Sequence, residues 1–224
     1  MDEGRFLMEV LHVTTRTHGR VLVRDTAGPS ALVVGFHGYM ESAAIQMERL
    51  TGIDGSDRWV LASVQGLHRF YRGRSDAVVA SWMTRQDREL MIEDNIEYAN
   101  EVLDRIAKPA VPIITVGFSQ GVAMAFRAAV CARIRVAGVV AVGGDVPPEL
   151  FARSDASFPP PLIVRGERDE WYTADKAKKD LAALRARSVD AEFVVHQGGH
   201  EWTADVAAAA AAFIERIVAH GSSR

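Results

Sequence analysis

Short apolar runs alternate with longer amphipathic segments along most of the chain, and this alternation constrains the fold more than any other feature. The runs are rich in Val, Ile and Leu and almost unbroken by polar residues, as in strands buried on both faces of a parallel sheet. The segments between them carry apolar residues at helical spacing. The predicted strands span residues 31–36, 59–64, 113–116, 136–142, 162–164 and 193–195, and the predicted helices span residues 42–50, 86–106, 120–132, 174–187 and 203–219. An open, mostly parallel sheet with helices on both faces follows.

The N-terminal region is expected to add an antiparallel pair of strands. Two apolar runs span residues 7–13 and 20–24, and His18 and Gly19 stand between them as a turn. No internal repeat or long linker divides the chain, so residues 1–224 are expected to form a single domain.

Charge and cysteine content narrow the classes of function. The 26 basic and 29 acidic residues give a formal net charge of −3, which argues against a nucleic-acid partner. A single cysteine, Cys131, excludes an intrachain disulfide framework and a Cys-rich zinc site. The acidic start argues against a secretory signal, and the most apolar tract is far shorter than the ~20 residues that span a bilayer. We therefore expect a cytoplasmic protein without a membrane partner.

The segment GFSQG, residues 117–121, fits the pattern G-x-S-x-G. It follows a predicted strand and opens a predicted helix, which is the setting of a nucleophile elbow. The two glycines remove side chains where strand and helix come close, and they leave Ser119 on a strained turn with its hydroxyl exposed. An ordinary tight turn with Ser119 as a helix N-cap would use the same residue types. We interpret Ser119 as a nucleophile.

A nucleophilic serine needs a base, and His200 is the best placed of the seven histidines. It follows a late strand, in the loop QGGHEW before the last helix. His196 lies four residues earlier, but a zinc site built on His196 and His200 lacks an obvious third ligand, and two glycines break the helix that would bring them to one face.

The base in turn needs an orienting carboxylate. Asp169 follows another late strand, in RGERDE, and is the first candidate. Its neighbours Glu167 and Glu170, and Asp145 after the strand at 136–142, remain alternatives. The chain order serine, acid, histidine is the one expected on this architecture.

Attack by a serine creates an oxyanion, which requires preformed donors. The amide after the nucleophile, that of Gln120, is the first. The loop after the first parallel strand reads FHGYME, and Gly38 permits a backbone path that turns the amide of Tyr39 towards the site. His37 is interpreted as a histidine that holds this loop rather than as a second base.

Four segments together resemble the α/β-hydrolase superfamily and, within it, the phospholipase/carboxylesterase group with its acyl-protein thioesterase and dienelactone hydrolase neighbours. They are FHGYMES, GFSQG, RGERDEWY and GGHEW, which span residues 36–202. Tyr39 and Glu41 stand where the group often has an aliphatic residue and Asp. Tyr172 and Thr173 replace a common Val-Pro.

The resemblance implies a three-layer α/β-hydrolase sandwich without a large cap domain. It also implies a serine esterase that works through an acyl-enzyme, with Ser119, Asp169 and His200 as the catalytic triad and no metal or organic cofactor. The expected partner is a small-molecule ester or thioester, and an exposed apolar helix face would allow a homodimer.

The substrate pocket is expected to come from loops at the strand ends. The long segment 65–85 contains Phe70 and several arginines, and we interpret it as a loop that walls the pocket. Packing of its own aromatic residues is the alternative role. The residues expected to contact substrate are His37, Gly38, Tyr71, Trp82, Met83, Trp171, Tyr172 and Trp202.

These features predict a hydrolase for small, largely apolar carboxylic esters or thioesters. A small peptidase or amidase on the same fold is the second hypothesis. A hydrolase-fold protein that binds without catalysis is the third, although such a protein would usually have lost a member of the triad.

Overall fold

A computed structural model describes residues 8–221, which form nine strands and six helices. The strands are β1 (Arg20–Arg24), β2 (Ala31–Phe36), β3 (Trp59–Gln65), β4 (His68–Tyr71), β5 (Val78–Ser81), β6 (Ile113–Phe118), β7 (Gly138–Val142), β8 (Pro161–Gly166) and β9 (Glu192–His196). The helices are α1 (Ala43–Thr51), α2 (Arg88–Ile106), α3 (Gln120–Val130), α4 (Pro148–Ala152), α5 (Ala174–Ala186) and α6 (Ala204–Gly221).

Seven of the strands form one sheet in the order β1-β3-β2-β6-β7-β8-β9. All neighbours run parallel except β1 and β3, which pair antiparallel. The expected mostly parallel sheet is therefore confirmed, and it contains an antiparallel pair, which β1 forms with β3. Because the parallel strands share one direction, the loops that follow β2, β6, β8 and β9 meet at the same edge of the sheet.

The sheet is buried on both faces, and this explains the unbroken apolar runs. Leu32 and Val34 of β2 belong to a core shared with α2, α3 and α5, while Val33 belongs to a second core shared with α1 and α6. Side chains alternate across a strand, so a central strand such as β2 needs small or apolar residues on both faces to fill both cores, whereas the edge strands β1 and β9 are partly exposed. The result is a three-layer sandwich with helices on both faces, and no large cap is inserted within residues 8–221.

The prediction of a first strand at residues 7–13 is wrong for the part that the structure describes. Residues 8–13 form no strand, and residue 7 lies outside the described residues. The strand at 20–24 pairs with β3 instead, which joins it to a large sheet rather than to a marginal two-stranded hairpin. Gly19 does not make the expected turn; it lies against the ring of Tyr98 on α2, where a Cβ would come within 2.0 Å of Cε2.

The segment 65–85 also differs from the prediction of a plain loop. It contains β4 and β5, which form a separate antiparallel hairpin. All four residues of β4 are exposed, two polar followed by two aromatic, so the strand shows no alternation of apolar and polar residues in the sequence. An isolated bridge between Glu41 and Ala80 ties this hairpin to the loop after β2.

Candidate active site

The sharp turn between β6 and α3 presents Ser119 at the carboxyl edge of the sheet. Ser119 has φ 53° and ψ −120°, a conformation that costs an L-residue strain and that its surroundings must hold in place. Its amide donates to the carbonyl of Val142 at 2.9 Å. A Cβ on Gly121 would lie 2.0 Å from the carbonyl oxygen of Phe36, and one on Gly117 would lie 2.4 Å from that of Gly121. Glycine is therefore required on both sides of Ser119.

Three residues that are far apart in the sequence form one hydrogen-bonded chain at this edge. Ser119 Oγ lies 2.8 Å from His200 Nε2, and His200 Nδ1 lies 2.9 Å from Asp169 Oδ2. His200 comes from the loop after β9 and Asp169 from the loop after β8. The imidazole side chain is 21% exposed, whereas the Asp169 side chain is 1% exposed. A partly exposed imidazole thus contacts a buried carboxylate.

Asp169 is held on its other oxygen by the backbone of its own loop. Its Oδ1 accepts from the amides of Trp171 and Tyr172, both at 2.8 Å. The alternative acids are placed differently. Glu167 and Glu170 are exposed, and Asp145 is exposed with its Oδ2 3.3 Å from Lys176 Nζ.

His196 lies beside the triad loop but has a different environment. It is buried, and its Nδ1 accepts from the amide of Gly198 at 3.1 Å. It supports the turn that carries His200. Among residues 8–221, no group of three or more His, Cys, Asp or Glu side chains is arranged to hold a metal ion.

The amides of Tyr39 and Gln120 both lie in segments that border Ser119. Gln120 is the first residue of α3, so its amide has no acceptor within the helix. The amide of Tyr39 has no acceptor among the described residues. Tyr39 lies between two tethered neighbours, since the amide of Gly38 donates to Glu41 Oε2 at 2.7 Å and that of Met40 donates to the carbonyl of Ala80 at 3.1 Å.

His37 and Trp82 are buried and do not line the site with their side chains, contrary to their prediction as substrate contacts. His37 Nδ1 donates to the carbonyl of Gly38 at 2.7 Å, and its Nε2 accepts from the amide of Gly66 at 3.0 Å. Burial holds the pKa of His37 below its ordinary value. Trp82 Nε1 donates to the carbonyl of His37 at 2.8 Å. Both residues brace the loop that carries Tyr39.

Tyr172 is also buried, which again differs from the prediction that it contacts substrate. Its hydroxyl donates to Asp180 Oδ2 at 3.0 Å. Burial and the nearby Asp180 carboxylate raise the pKa of Tyr172. Its contribution to the site is its amide, which binds Asp169.

Exposed aromatic side chains lie in the Tyr39 loop, in the hairpin and in the loop that carries Asp169. Tyr39 is 56% exposed and its ring lies 6.3 Å from that of Phe70, and Tyr71 is also exposed. Trp171 is 74% exposed, and its ring lies 6.5 Å from that of His200.

Gly38, Met83 and Trp202 complete the set of predicted contacts. Gly38 is buried, and Met83 and Trp202 are half-buried. The carbonyl of Met83 accepts from Gln120 Nε2 at 3.0 Å, and Gln120 Oε1 accepts from the amide of Trp82 at 3.0 Å. The Gln120 side chain thereby fixes the end of the hairpin segment to the start of α3.

Sequence reasoning missed Gly143, which lies beneath the hydrogen-bonded chain. It follows β7 with φ 65°, and a Cβ there would lie 3.2 Å from His200 Nδ1 and 3.3 Å from Asp169 Oδ2. The available signal was a pair of glycines directly after a buried strand. This position requires a glycine both for its backbone conformation and for the space it leaves.

Gly143→Ala is expected to push His200 and Asp169 apart without removing any functional group. Misplacement of reacting groups by about 1 Å can cost roughly 100-fold in rate, so we expect kcat for an ester substrate to fall about 10- to 100-fold. Gly28→Ala is the matched control, because Gly28 has φ 59° but no atom within 4 Å of an added Cβ. Equal activity in the two variants would contradict the crowding argument.

In the described part of the chain, no helix combines the length and apolar character needed to cross a membrane.

The model of the phospholipase/carboxylesterase family matches residues 76–218, which include Ser119, Asp169 and His200. A search of curated proteins gave no significant match.

Solved structures similar to this one share its whole architecture. Esterase PE8 is 25% identical with a TM-score of 0.68, and the match covers 89% of this chain and 98% of that chain. Zea mays acyl-protein thioesterase 2 is 16% identical with a TM-score of 0.74, and the match covers 90% and 100%. TT1662 from Thermus thermophilus is 23% identical with a TM-score of 0.63, and the match covers 91% and 99%.

Proposed function

Because the chain belongs to the phospholipase/carboxylesterase family and is a hydrolase of the α/β-hydrolase fold, we propose that it cleaves carboxylic esters or thioesters of small, largely apolar substrates through an acyl-enzyme on Ser119. The observation that carries this proposal is the chain of two hydrogen bonds from Ser119 through His200 to Asp169.

The proposed reaction begins when Ser119 Oγ attacks the carbonyl carbon of the substrate. His200 Nε2 takes the hydroxyl proton, and Asp169 keeps the Nδ1 proton in place and stabilises the imidazolium. The tetrahedral intermediate then collapses, the bond to the alcohol or thiol breaks, and His200 returns the proton to the leaving group. Water, with its proton taken by His200, attacks the acyl-enzyme, and the acid is released from Ser119.

The oxyanion of each tetrahedral intermediate is proposed to bind the amides of Tyr39 and Gln120. Two features support this assignment. Gln120 directly follows Ser119, and Tyr39 directly follows Gly38, which packs against Phe118 beside Ser119. Neither amide has a hydrogen-bond acceptor among the described residues. Donors that are already oriented towards the developing charge lower the barrier without reorganisation during the reaction.

The character of the substrate follows from the rim of the site. Tyr39, Tyr71 and Trp171 expose large apolar side chains in the segments around the site, and the Trp171 ring lies 6.5 Å from that of His200. Arg69 and Arg72 of the hairpin donate to the carbonyls of His18 and Met40 at 3.0 Å, so these arginines already have internal partners. An apolar acyl or alcohol group is therefore a better match for this rim than a strongly anionic one.

A substrate panel tests the proposal. It comprises p-nitrophenyl esters of short and medium acyl chains, acyl thioesters of matched chain length, and the corresponding p-nitroanilides. We expect kcat/KM for the oxygen or sulfur esters to exceed that for the anilides. Anilide cleavage as fast as ester cleavage would indicate an amidase instead. Folded protein that turns over none of the three classes would contradict an enzymatic role.

A further inference from the structure

Glu41, in the loop that carries Tyr39, forms an ion pair with Arg49 of α1. Arg49 uses two nitrogens, with NH1 to Oε2 and NH2 to Oε1 both at 2.6 Å. The two side chains are only 17% and 14% exposed. Burial works against ionisation of Glu41, but the hydrogen bonds and charge of Arg49 hold the pKa of the carboxyl below its ordinary value. The pair is therefore charged, rigid and largely screened from water.

On one side the pair binds the backbone of the loop. Glu41 Oε2 accepts the amide of Gly38 at 2.7 Å, directly before Tyr39. A Cβ on Gly38 would lie 2.9 Å from the same oxygen and 3.2 Å from the ring of Phe118. The backbone at Gly38 is thus confined between the Glu41 carboxylate and Phe118.

The pair also contacts the end of β6, the strand that directly precedes Ser119. The guanidinium of Arg49 lies over the ring of Phe118, 4.1 Å from its centroid. Phe118 directly precedes Ser119, and its ring is 5.1 Å from that of His200. Arg49 therefore touches both the loop, through Glu41, and the nucleophile turn, through Phe118.

We propose that Glu41 and Arg49 are a positioning pair that fixes the Tyr39 amide relative to Ser119. This inference rests on the proposed function, because it assigns the Tyr39 amide to the oxyanion. Glu41 sets the direction of the peptide groups around Tyr39 through the Gly38 amide. Arg49 contacts Phe118, which directly precedes Ser119. The Tyr39 loop and the turn at Ser119 are thereby held at a constant distance. Neither side chain touches the substrate in this role.

Glu41→Ala removes the acceptor for the Gly38 amide and leaves Arg49 without its partner. Loss of one oxyanion donor costs about 100- to 1,000-fold in rate, and a displaced donor should cost a part of this, so we expect kcat to fall about 10- to 100-fold. KM for the ester should change less than about threefold, because the lost interaction is made in the transition state. Affinity for a trifluoromethyl ketone, which forms a hemiketal oxyanion on Ser119, should fall in parallel with kcat/KM.

A second ion pair supplies a control for effects on stability alone. Arg127 on α3 is buried and pairs with Glu149, its Nε lying 2.9 Å from Oε1. Glu149→Gln also disrupts a buried arginine pair, but it leaves the loop at Tyr39 untouched. We expect this variant to lose thermal stability while kcat stays within about twofold of the wild-type value.

Coupling between the two residues distinguishes a shared role from two separate ones. If Glu41 and Arg49 act as a unit, Glu41→Ala and Arg49→Met combined should cost little more in kcat than the worse single variant. Should Glu41→Ala fail to fold, Glu41→Gln replaces it in the same comparison, with a smaller expected fall of about three- to tenfold because the amide oxygen still accepts from Gly38.

The outcomes separate this inference from the proposed function. Active wild-type enzyme with an undiminished kcat in the folded Glu41 variant would overturn the positioning role alone. A rise in KM with kcat unchanged, or a kcat loss equal to that of Glu149→Gln, would do the same. Wild-type protein with no ester turnover would overturn both.

Discussion

Ser119→Ala is expected to abolish ester turnover while the protein remains folded. The proposed reaction requires Oγ as the atom that forms the bond to the acyl carbon, and no other hydroxyl is hydrogen-bonded to His200 in the described structure. Removal of the serine from such a triad costs on the order of 10⁶-fold in kcat. The serine side chain makes no cap hydrogen bond to α3, so its loss should leave the helix intact. Steady-state kinetics and thermal unfolding followed by circular dichroism measure the two effects.

Ser154→Ala is the matched control for this variant. Ser154 is exposed and lies in the loop after α4, outside the turn that carries Ser119. We expect its kcat to stay within about twofold of the wild-type value. Folded Ser119→Ala protein that keeps a substantial part of the wild-type rate would show that another group carries the reaction.

Asp169→Asn is expected to reduce kcat about 10⁴-fold with little effect on the fold. The reason lies in the donors around the side chain. The amides of Trp171 and Tyr172 both point at Oδ1, so the carbonyl oxygen of the asparagine should occupy that position. Its NH₂ group would then face His200 Nδ1. Two donors cannot share one hydrogen bond, so the imidazole would carry its proton on Nε2 and could not accept the proton of Ser119.

Asp145→Asn tests the competing assignment of the acid. Asp145 is exposed, and its Oδ2 lies 3.3 Å from Lys176 Nζ rather than beside His200. We expect kcat to change by less than about twofold in this variant. A larger loss for Asp145→Asn than for Asp169→Asn would contradict the assignment of Asp169 as the carboxylate that orients His200.

Much of the fold could be predicted because local patterns reflect burial. The strand at 31–36 agrees with β2 residue for residue, and the helix at 120–132 overlaps all of α3. These elements are buried on the faces that their apolar spacing indicates. The hairpin of β4 and β5 was missed because β4 is exposed along its length and shows no buried alternation, and because the bridge to the Tyr39 loop is made by Ala80 of β5 rather than by a local pattern.

The identity of individual site groups depended on contacts that spacing does not encode. Sequence position left Asp145, Glu167 and Glu170 open beside Asp169, and only the fold shows which carboxylate reaches His200. His37 and Tyr172 stand inside two of the motifs and Trp82 in the segment 65–85. All three are polar aromatic residues, so exposure and burial were equally compatible with their sequence context. Their internal hydrogen bonds make them braces of the site.

The role of Arg49 had no local signal at all. It lies on α1, and two of its contacts come from distant segments, Glu41 from the loop after β2 and Phe118 from the end of β6. The function of a largely buried charged residue such as Arg49 can be inferred only when its contacts in the fold are known.

Mass spectrometry of protein treated with a fluorophosphonate tests directly whether Ser119 is the nucleophile. The reagent transfers its phosphonyl group to an activated serine with loss of fluoride, and the adduct reports on Ser119 without any assumption about the natural substrate. We predict a single adduct per chain, located at residue 119 by peptide mapping, absent from Ser119→Ala and formed much more slowly in Asp169→Asn. Folded wild-type protein that hydrolyses esters but carries no adduct, or carries it on another residue, would contradict the assignment of Ser119 as the nucleophile.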